Sequence, residues 1–137
     1  MLDASTTRMV AHHYWELECW QLANDLKLRV YAFTAKVPAA RDVKYCDQLR
    51  ESTRSAPRNI AEGFGRYRPA EFARFLEIAR ASLTETHNHL RDGLDLNYLT
   101  EAECGQMFKL CDRASGATTN LLLYLRRCRR NPRRARA

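Results

Sequence analysis

The length, composition and charge of the chain exclude several classes of protein. With 137 residues, 45% of them hydrophobic, it suits a single packed domain and is not wholly disordered. The 5 glycines and 4 prolines allow few turns, which excludes a β-sandwich or a β-barrel. The net charge of +7 lies in residues 126–137, which hold seven arginines and no acid, because the remainder is balanced at 16 basic and 16 acidic residues.

The cysteines indicate a reducing compartment. Their number is odd and no two form a Cys-x-x-Cys motif, so we interpret them as reduced, core-filling thiols in a cytoplasmic protein. The N-terminus has no apolar signal segment and no uncharged run is long enough to cross a bilayer, so no membrane partner is expected. The five cysteines are Cys19, Cys46, Cys104, Cys111 and Cys128.

Residues 1–14 show no hydrophobic period and are interpreted as an N-terminal arm. Residues 15–128 then contain four series of apolar or small side chains at alternating spacings of three and four, which predict four amphipathic helices. The first series is Cys19, Ala23, Leu26, Val30, Phe33 and Val37. The second is Cys46, Leu49, Thr53, Ala56, Ile60 and Gly63. The third is Phe72, Leu76, Ala79, Leu83, Thr86 and Leu90. The fourth is Met107, Cys111, Ala114, Ala117, Leu121, Tyr124 and Cys128.

The ends of the helices carry their own signals. Pro38 is expected to end the first helix, and Pro69 stands at a first-turn position of the third. Thr100 and Glu103 form a capping box at the start of the fourth helix, with Leu99 and Cys104 placed for the hydrophobic staple. Short links between the helices make neighbours antiparallel.

The sequence therefore predicts an all-α fold, an antiparallel up-down-up-down four-helix bundle over residues 15–128, with an Arg-rich tail at residues 129–137. Pro57 removes one backbone hydrogen bond and presses on the carbonyl of Thr53, which predicts a kink in the second helix. Gly63 and Gly65 are expected to close that helix and turn the chain.

The chain shows no pattern typical of a catalytic or metal site. A di-iron bundle needs Glu-x-x-His on two helices, but His87 and His89 stand two and four residues after Glu85. The two histidines lie about 200° apart on a helix and cannot hold one metal from the same face. Ser82, Glu85 and His89 share a face, yet about 10 Å of helix rise separates Ser82 from His89. We expect no enzymatic activity, no metal and no cofactor.

Two polar lines flank the predicted seam between the second and third helices. They are Ser52, Ser55, Asn59, Glu62 and Arg66 on the second helix, and Ile78, Ser82, Glu85 and His89 on the third. One interpretation is a hydrogen-bond network that fixes the register of the two helices, with Arg58 or Arg66 offsetting the carboxylates. The alternatives are a ligand pocket and, more remotely, an enzyme that uses Asn59, Glu62 and Glu85.

Arginines are the candidates for contact with nucleic acid. The turn after the second helix, Gly65-Arg66-Tyr67-Arg68-Pro69, combines basic and aromatic groups that suit phosphates and bases, although an ordinary solvated corner has the same composition. The tail is interpreted either as an electrostatic arm for nucleic acid or as a solvated segment. The candidate residues are Arg66, Arg68, Arg126, Arg127, Arg129, Arg130, Arg133, Arg134 and Arg136.

Three segments resemble a known family. They read CWQLANDLKLRVYAFTAKVP, LRESTRSAPRNIAEGFGR and FARFLEIARASLTE, and the most specific part is Asn59-Ile60-Ala61-Glu62-Gly63. Together they resemble the bacterial four-helix-bundle proteins called 23S rRNA intervening-sequence proteins, whose fold is shared by the accessory variability determinant of diversity-generating retroelements. The resemblance covers about residues 15 to 128.

The resemblance implies a small cytosolic homopentamer without catalytic residues. Its retroelement branch implies binding of nucleic acid and of a reverse transcriptase by a basic barrel surface. The neutral body of this chain departs from that pattern and shifts the expected contacts to the Arg tail. The motif residues carried over, with a structural role implied, are Pro57, Asn59, Glu62, Gly63, Arg66, Ser82 and Glu85.

Our leading hypothesis is a non-enzymatic homo-oligomeric adaptor that binds RNA or DNA through these arginines. The alternative is an assembly module whose partner is another protein. Apolar residues off the main seams support self-association, because a monomer is expected to expose them. These residues are Trp20, Leu22, Ile78 and Leu122.

Overall fold

The computed structural model describes residues 2–3, 8–9 and 11–130, with side chains from residue 11 to residue 128. Its four α-helices are α1 (Glu18–Thr34), α2 (Val43–Phe64), α3 (Pro69–Asp95) and α4 (Glu101–Arg130). Short 3-10 helices precede α1 (Tyr14–Glu16) and α2 (Ala39–Arg41). Within the predicted arm, strands β1 (Leu2–Asp3) and β2 (Arg8–Met9) pair antiparallel, which the absence of a hydrophobic period did not indicate.

The helices form the predicted antiparallel bundle. Each packs against the next in the chain, and α1 also packs against α4, which closes the bundle around one core. The predicted series on α2 and α3 are buried throughout, and the largest fully buried side chains include Leu26, Leu49, Ile60, Leu76 and Leu83. Burying this stripe from every helix is the main stabilising contribution to the fold.

The structure corrects the ends of two predicted series. Helix α1 ends at Thr34, four residues before Pro38, so Val37 lies past the helix and is 64% exposed. On α4, Ala117 is half-buried and its neighbour Thr118 is fully buried instead. Thr118 tolerates this position because its hydroxyl donates to the carbonyl of Ala114 at 2.7 Å, which satisfies the polar group inside the core.

The off-seam residues are also placed differently from the prediction. Leu22 is 6% exposed and Leu122 is fully buried within a single chain, so the expectation that a monomer exposes them was wrong. Both helices present a buried face wider than one heptad seam, as helices of a closed bundle do. Trp20 is half-buried against the core, and Ile78 is 37% exposed.

Two glycines allow α2 and α3 to approach closely at both ends of their contact. A Cβ on Gly63 would lie 2.7 Å from Phe75 Cβ and 2.8 Å from Phe72 Cδ1. A Cβ on Gly93 would meet the hydroxyl of Tyr45 and lie 2.8 Å from Leu99 Cδ2. Both glycines are therefore required by packing between helices.

The turn between α2 and α3 is made without a left-handed glycine. Gly63 is inside α2, and Gly65 is its C-cap with right-handed helical angles, so neither glycine turns the chain as predicted. Tyr67 has a φ of 63° instead, followed by extended Arg68 and by Pro69 as the first residue of α3. Proline disfavours helical angles at the residue before it, so the left-handed step falls one residue earlier.

Candidate functional site

A chain of hydrogen bonds crosses the seam between α2 and α3. Ser82 Oγ donates to the carbonyl of Ile78 at 3.1 Å, and Ser55 Oγ lies 2.7 Å from Ser82 Oγ. A carbonyl can only accept, so Ser82 uses its single proton there and Ser55 must donate to Ser82. The lone pairs of Ser55 Oγ then accept from Asn59 Nδ2 at 3.0 Å, and Asn59 also donates to the Ser55 carbonyl at 2.7 Å.

A second polar contact lies one turn further along the seam. The Thr86 hydroxyl is 3.0 Å from Ser52 Oγ and 2.9 Å from the carbonyl of Ser82, while Ser52 Oγ is 3.0 Å from the carbonyl of Leu49. Thr86, Ser52 and Ser82 are all buried, and their hydroxyls find partners within the bundle, in one another and in backbone carbonyls. The predicted meeting of the two polar lines is thus observed at the serines.

The least satisfied residue of the seam is Thr53. It is fully buried, and its hydroxyl has no hydrogen-bond partner among the described residues. Its carbonyl also lacks the usual helical donor four residues later, because Pro57 has no N–H group. Pro57 is itself buried, and α2 continues through it without a break. The kink at this point stays a prediction.

The carboxylates of the motif do not join this chain. Glu62 pairs with Arg66 of its own helix at 2.8 Å, and both side chains are about half exposed. Glu85, 61% exposed, lies 3.4 Å from His89 Nε2 on α3. That approach is close enough for an ion pair but does not make a hydrogen bond, so the buried Nε2 has no such partner among the described residues. Asn59 bonds to Ser55, Glu62 pairs with Arg66 and Glu85 lies near His89, so each of the three contacts a different residue.

The thiols are embedded in the core. All five cysteines are free and buried, and burial raises the pKa of Cys19 and of Cys111 to about 12. A thiol held protonated at neutral pH is a poor nucleophile and a poor metal ligand. Within residues 11–128, histidine, cysteine and acidic side chains form no group of three or more that could hold a metal ion.

Four of the arginines predicted to contact nucleic acid, Arg66, Arg68, Arg126 and Arg127, lie at one end of the bundle. The antiparallel order brings the α2–α3 turn and the last turns of α4 to the same end, which is opposite the α1–α2 and α3–α4 links. Arg126 Nη2 donates to Glu77 Oε1 of α3 at 2.6 Å and fastens α4 there. Arg127 and Arg68 are exposed, whereas Arg66 is held by Glu62 and lies 5.1 Å from the Phe75 ring.

The remaining tail arginines are described in part or not at all. Helix α4 extends to Arg130, so the backbone of Arg129 and Arg130 is helical where the sequence predicted the start of a tail. Their side chains, and Arg133, Arg134 and Arg136, lie outside what the structure describes. Arginines in the last turn of a helix complement the partial negative charge of its C-terminus, which favours the extension.

The sequence analysis missed a groove on the other side of α2. Lys27 and Tyr31 of α1 face Arg54 and Arg58 of α2 across it. The spacing of these residues could have indicated the groove. Tyr31 follows Lys27 by four residues and Arg58 follows Arg54 by four, so each pair shares a helix face. The groove also takes in Tyr14, from the segment interpreted as an arm.

These features together define the structural class of the protein. The chain is a closed, antiparallel four-helix bundle with an internal hydroxyl seam and arginines gathered at one end, and no helix within the described residues is long and apolar enough to span a membrane. The family model for the 23S rRNA-intervening sequence protein matches residues 15–120, and the chain belongs to this family. No curated protein matches the chain.

Proposed function

We propose that this protein is a non-enzymatic, homo-oligomeric adaptor of the cytoplasm that binds RNA or DNA through arginines at one end of the bundle. The observation that carries the proposal is the segregation of charge. Residues 126–137 hold seven arginines against a neutral remainder, and the first of them form the last turn of α4, at the end that also presents Arg68. Such a concentration attracts a polyanion by releasing its counterions.

The family supports RNA as the first ligand to test, since its description refers to an intervening sequence of 23S rRNA. The proposed absence of catalysis is supported by the polar seam. Its serines and Asn59 are engaged in bonds within the bundle, and its two exposed carboxylates lie against separate residues, Arg66 and His89. A catalytic constellation would instead aim such groups at a shared point.

The rival function is an assembly module with a protein partner, and one observation favours it. Leu123 is 45% exposed on α4, one turn before Arg126, and Arg126 and Arg66 are both bound to carboxylates. An exposed leucine beside neutralised arginines suits a protein surface better than a phosphate backbone.

Self-association is proposed to produce a ring of five chains, as the family resemblance implies. Support within the chain comes from partly exposed apolar side chains such as Trp15 at 49%, Ile78 at 37% and Leu123 at 45%. Light scattering coupled to size exclusion should give about five times the chain mass of 15.9 kDa. A mass near 15.9 kDa itself would refute the oligomer.

The nucleic-acid function is tested by measuring affinity for a short RNA across a salt series. We expect replacement of five tail arginines by serine to weaken binding at least tenfold and to flatten the salt dependence, since each lost phosphate contact on a single strand removes about 0.7 from the slope. In a ring several tails act together, which raises the effect of the change. The replaced residues are Arg129, Arg130, Arg133, Arg134 and Arg136.

A matched control replaces five exposed basic residues of the body with serine. These are Arg41, Lys44, Arg74, Lys109 and Arg113. The control has the same change in net charge, so it should lose much less affinity and keep more of the salt slope. Equal losses in the two variants, or unchanged affinity in the tail variant, would contradict the proposal. If the parent binds no RNA at low salt, the assembly module becomes the better explanation.

A further inference from the structure

An open groove of about 310 Å³ lies between α1 and α2. Aromatic and basic side chains dominate it, and among the described residues that line it none is acidic. Its volume is at the lower end of the range for small-molecule sites, which suits one nucleotide-sized group. The lining residues are Tyr14, Trp20, Lys27, Tyr31, Arg54, Pro57, Arg58 and Ala61.

One end of the groove is aromatic. Trp20, on the first turns of α1, is half-buried and meets the edge of Tyr14 at a ring-centroid distance of 5.3 Å. Tyr14 in turn packs edge-on against Trp15, which is 49% exposed. Rings held by such contacts offer a rigid, partly hydrated π surface at little further cost in entropy.

The other end collects positive charge around Tyr31. Lys27 Nζ lies 5.9 Å and the Arg50 guanidinium carbon 5.4 Å from the centre of its ring. Arg50 is fixed there because its Nε donates to Thr34 Oγ1 at 2.7 Å. Tyr31 also raises the pKa of Arg54 by a side-chain hydrogen bond. This ring therefore positions three cations on one flank of the bundle.

The cations outnumber the acid that they contact. The Glu51 carboxylate lies 3.2 Å from Arg58 and 3.3 Å from Arg54. Both hydrogen bonds lower the pKa of Glu51, and the bond from Arg58 contributes most. Yet the Arg54 and Arg58 side chains remain 45% and 56% exposed, so each keeps donors for a further acceptor. The single negative charge of Glu51 does not balance the three positive charges of Arg54, Arg58 and Lys27, so the electrostatic potential of the groove is positive.

We propose that this groove binds a single-stranded segment of nucleic acid, with a base against Trp20 and phosphates against Lys27, Arg54 and Arg58. The two ends of the groove are adjacent, because Lys27 follows Trp20 by seven positions on α1, a rise of about 10 Å that brings both to the same face. The inference rests on the proposed function and adds a preference for unpaired strands.

The aromatic end decides between possible occupants. An acidic peptide would be attracted by the cations but makes no specific contact with the half-buried ring of Trp20. A duplex presents phosphates but keeps the faces of its bases stacked inside, so it cannot reach an aromatic platform. A single strand can use both ends, and base stacking on an aromatic side chain contributes about 1–3 kcal/mol per base.

The experiment compares a short single-stranded RNA with a duplex of the same length by fluorescence anisotropy at constant salt. One variant, Trp20→Leu, removes the platform, and another, Arg54→Gln with Arg58→Gln, removes the surface charges. Each has a matched control. Phe108→Leu removes a partly buried ring that lies 5.6 Å from the Arg91 guanidinium on the opposite side of the bundle. Lys109→Gln with Arg113→Gln removes two exposed cations that are also four residues apart.

The groove variants should lose about fivefold or more in affinity for the single strand while the duplex affinity stays near that of the parent. The controls should change neither. The paired arginine variant keeps the test valid if Trp20→Leu unfolds, because Arg54 and Arg58 are at the surface.

Three outcomes would overturn the inference. Equal losses for single strand and duplex would make the groove a patch of charge only. Unchanged binding in the groove variants, with binding lost in the tail variant, would leave the proposed function standing without this site. A parent that binds neither RNA, but binds polyglutamate less well once Arg54 and Arg58 are replaced, would make the groove a surface for an acidic protein.

Discussion

The two faces of α2 show opposite uses of polar side chains. Towards α3, Ser55 bonds to Ser82 and Asn59, Ser52 bonds to Thr86, and Gly63 lets the helices touch. Towards α1, Arg54 and Arg58 are half exposed around a groove. One helix therefore carries both a register-setting seam and an open surface.

The difference between these faces separates structural from functional polarity. On the α3 face every serine has a partner inside the bundle, so removing one member leaves another unsatisfied and lowers stability. On the groove face the cations are balanced in part by one exposed carboxylate, so their removal should cost little stability and change binding instead. The substitutions below test this division.

The largest loss of stability is expected from filling the glycine contacts of the seam. Gly63→Ala places a Cβ too close to Phe72 and Phe75, and Gly93→Ala displaces the Tyr45 hydroxyl, which donates to the carbonyl of His89 at 2.7 Å. Each should lower the free energy of unfolding by about 1–3 kcal/mol, as overpacking does. Urea unfolding measures the change.

Gly105 and Gly116 of α4 provide the matched control. A Cβ at either position would have no heavy atom of another residue within 4 Å, beyond its chain neighbours and the nearby helix backbone. Gly→Ala there should raise stability by about 0.5–1 kcal/mol, because alanine loses less backbone entropy in a helix. If Gly63→Ala and Gly93→Ala behave like these controls, the seam is looser than the structure indicates.

The buried stripes were predictable, whereas the ends of the elements were not. Positions such as Leu49, Ile60 and Leu76 follow a helical period that holds wherever one face is covered. From local preference alone, the sequence predicts that Gly63 and Gly65 turn the chain between α2 and α3. Tertiary packing uses Gly63 for contact between helices instead, and Pro69 moves the left-handed angle to Tyr67.

Asn59 is the next most sensitive position, because it begins the directed chain through Ser55 to Ser82. Asn59→Asp keeps the shape but replaces the donating amide with a carboxylate that can only accept. Ser55 must then either turn its proton away from Ser82 or face an unpaired carboxylate. We expect a loss of about 1–2 kcal/mol at pH 7, and about 1 kcal/mol for Asn59→Leu, which removes the donor without adding charge.

The pH dependence identifies the cause of this loss. The introduced carboxyl is favoured in its protonated form by the fold, so its folded-state pKa should exceed the unfolded value of about 3.9. The loss of stability of Asn59→Asp relative to the parent should therefore shrink as the pH falls below the folded-state pKa towards the unfolded value, and should return as the pH rises. A deficit that is constant from pH 3 to pH 7 would show that the direction of the chain is irrelevant.

Two threonines of the seam should respond in opposite directions to the same change. Thr86→Val removes a hydroxyl that bonds to Ser52 and Ser82, and should cost about 1 kcal/mol. Thr53→Val replaces a hydroxyl without a hydrogen-bond partner in the described structure by a methyl group in a fully buried site. It should be neutral or stabilise by up to about 1 kcal/mol. Two equal losses in thermal or urea unfolding would contradict the hydrogen-bond assignment.

The polar seam was partly predictable for a clear reason. Spacings of three and four placed Ser52, Ser55 and Asn59 on one line, and an antiparallel partner had to meet that line somewhere. The direction of the bonds depends on the carbonyl of Ile78, which no side-chain pattern reveals. The groove depends on Tyr14, which comes from the chain before α1 and has no helical period to follow.

The smallest effects on stability are expected at the two carboxylates of the alternative, enzymatic interpretation. Glu62 and Glu85 are exposed and pair with Arg66 and His89, four residues later on the same helix. An exposed helical pair such as Glu62–Arg66 contributes about 0.3–0.5 kcal/mol, and Glu85 approaches the largely buried His89 without a hydrogen bond. Glu62→Gln and Glu85→Gln should therefore each change the free energy of unfolding by no more than about 0.5 kcal/mol. Both variants should also keep the mass of the parent in light scattering and its affinity for single-stranded RNA.

A loss above about 1 kcal/mol would mean that these side chains are held more tightly than exposed pairs. Retained stability with altered assembly or binding would instead move this edge of α2 and α3 from the structural face to the functional one.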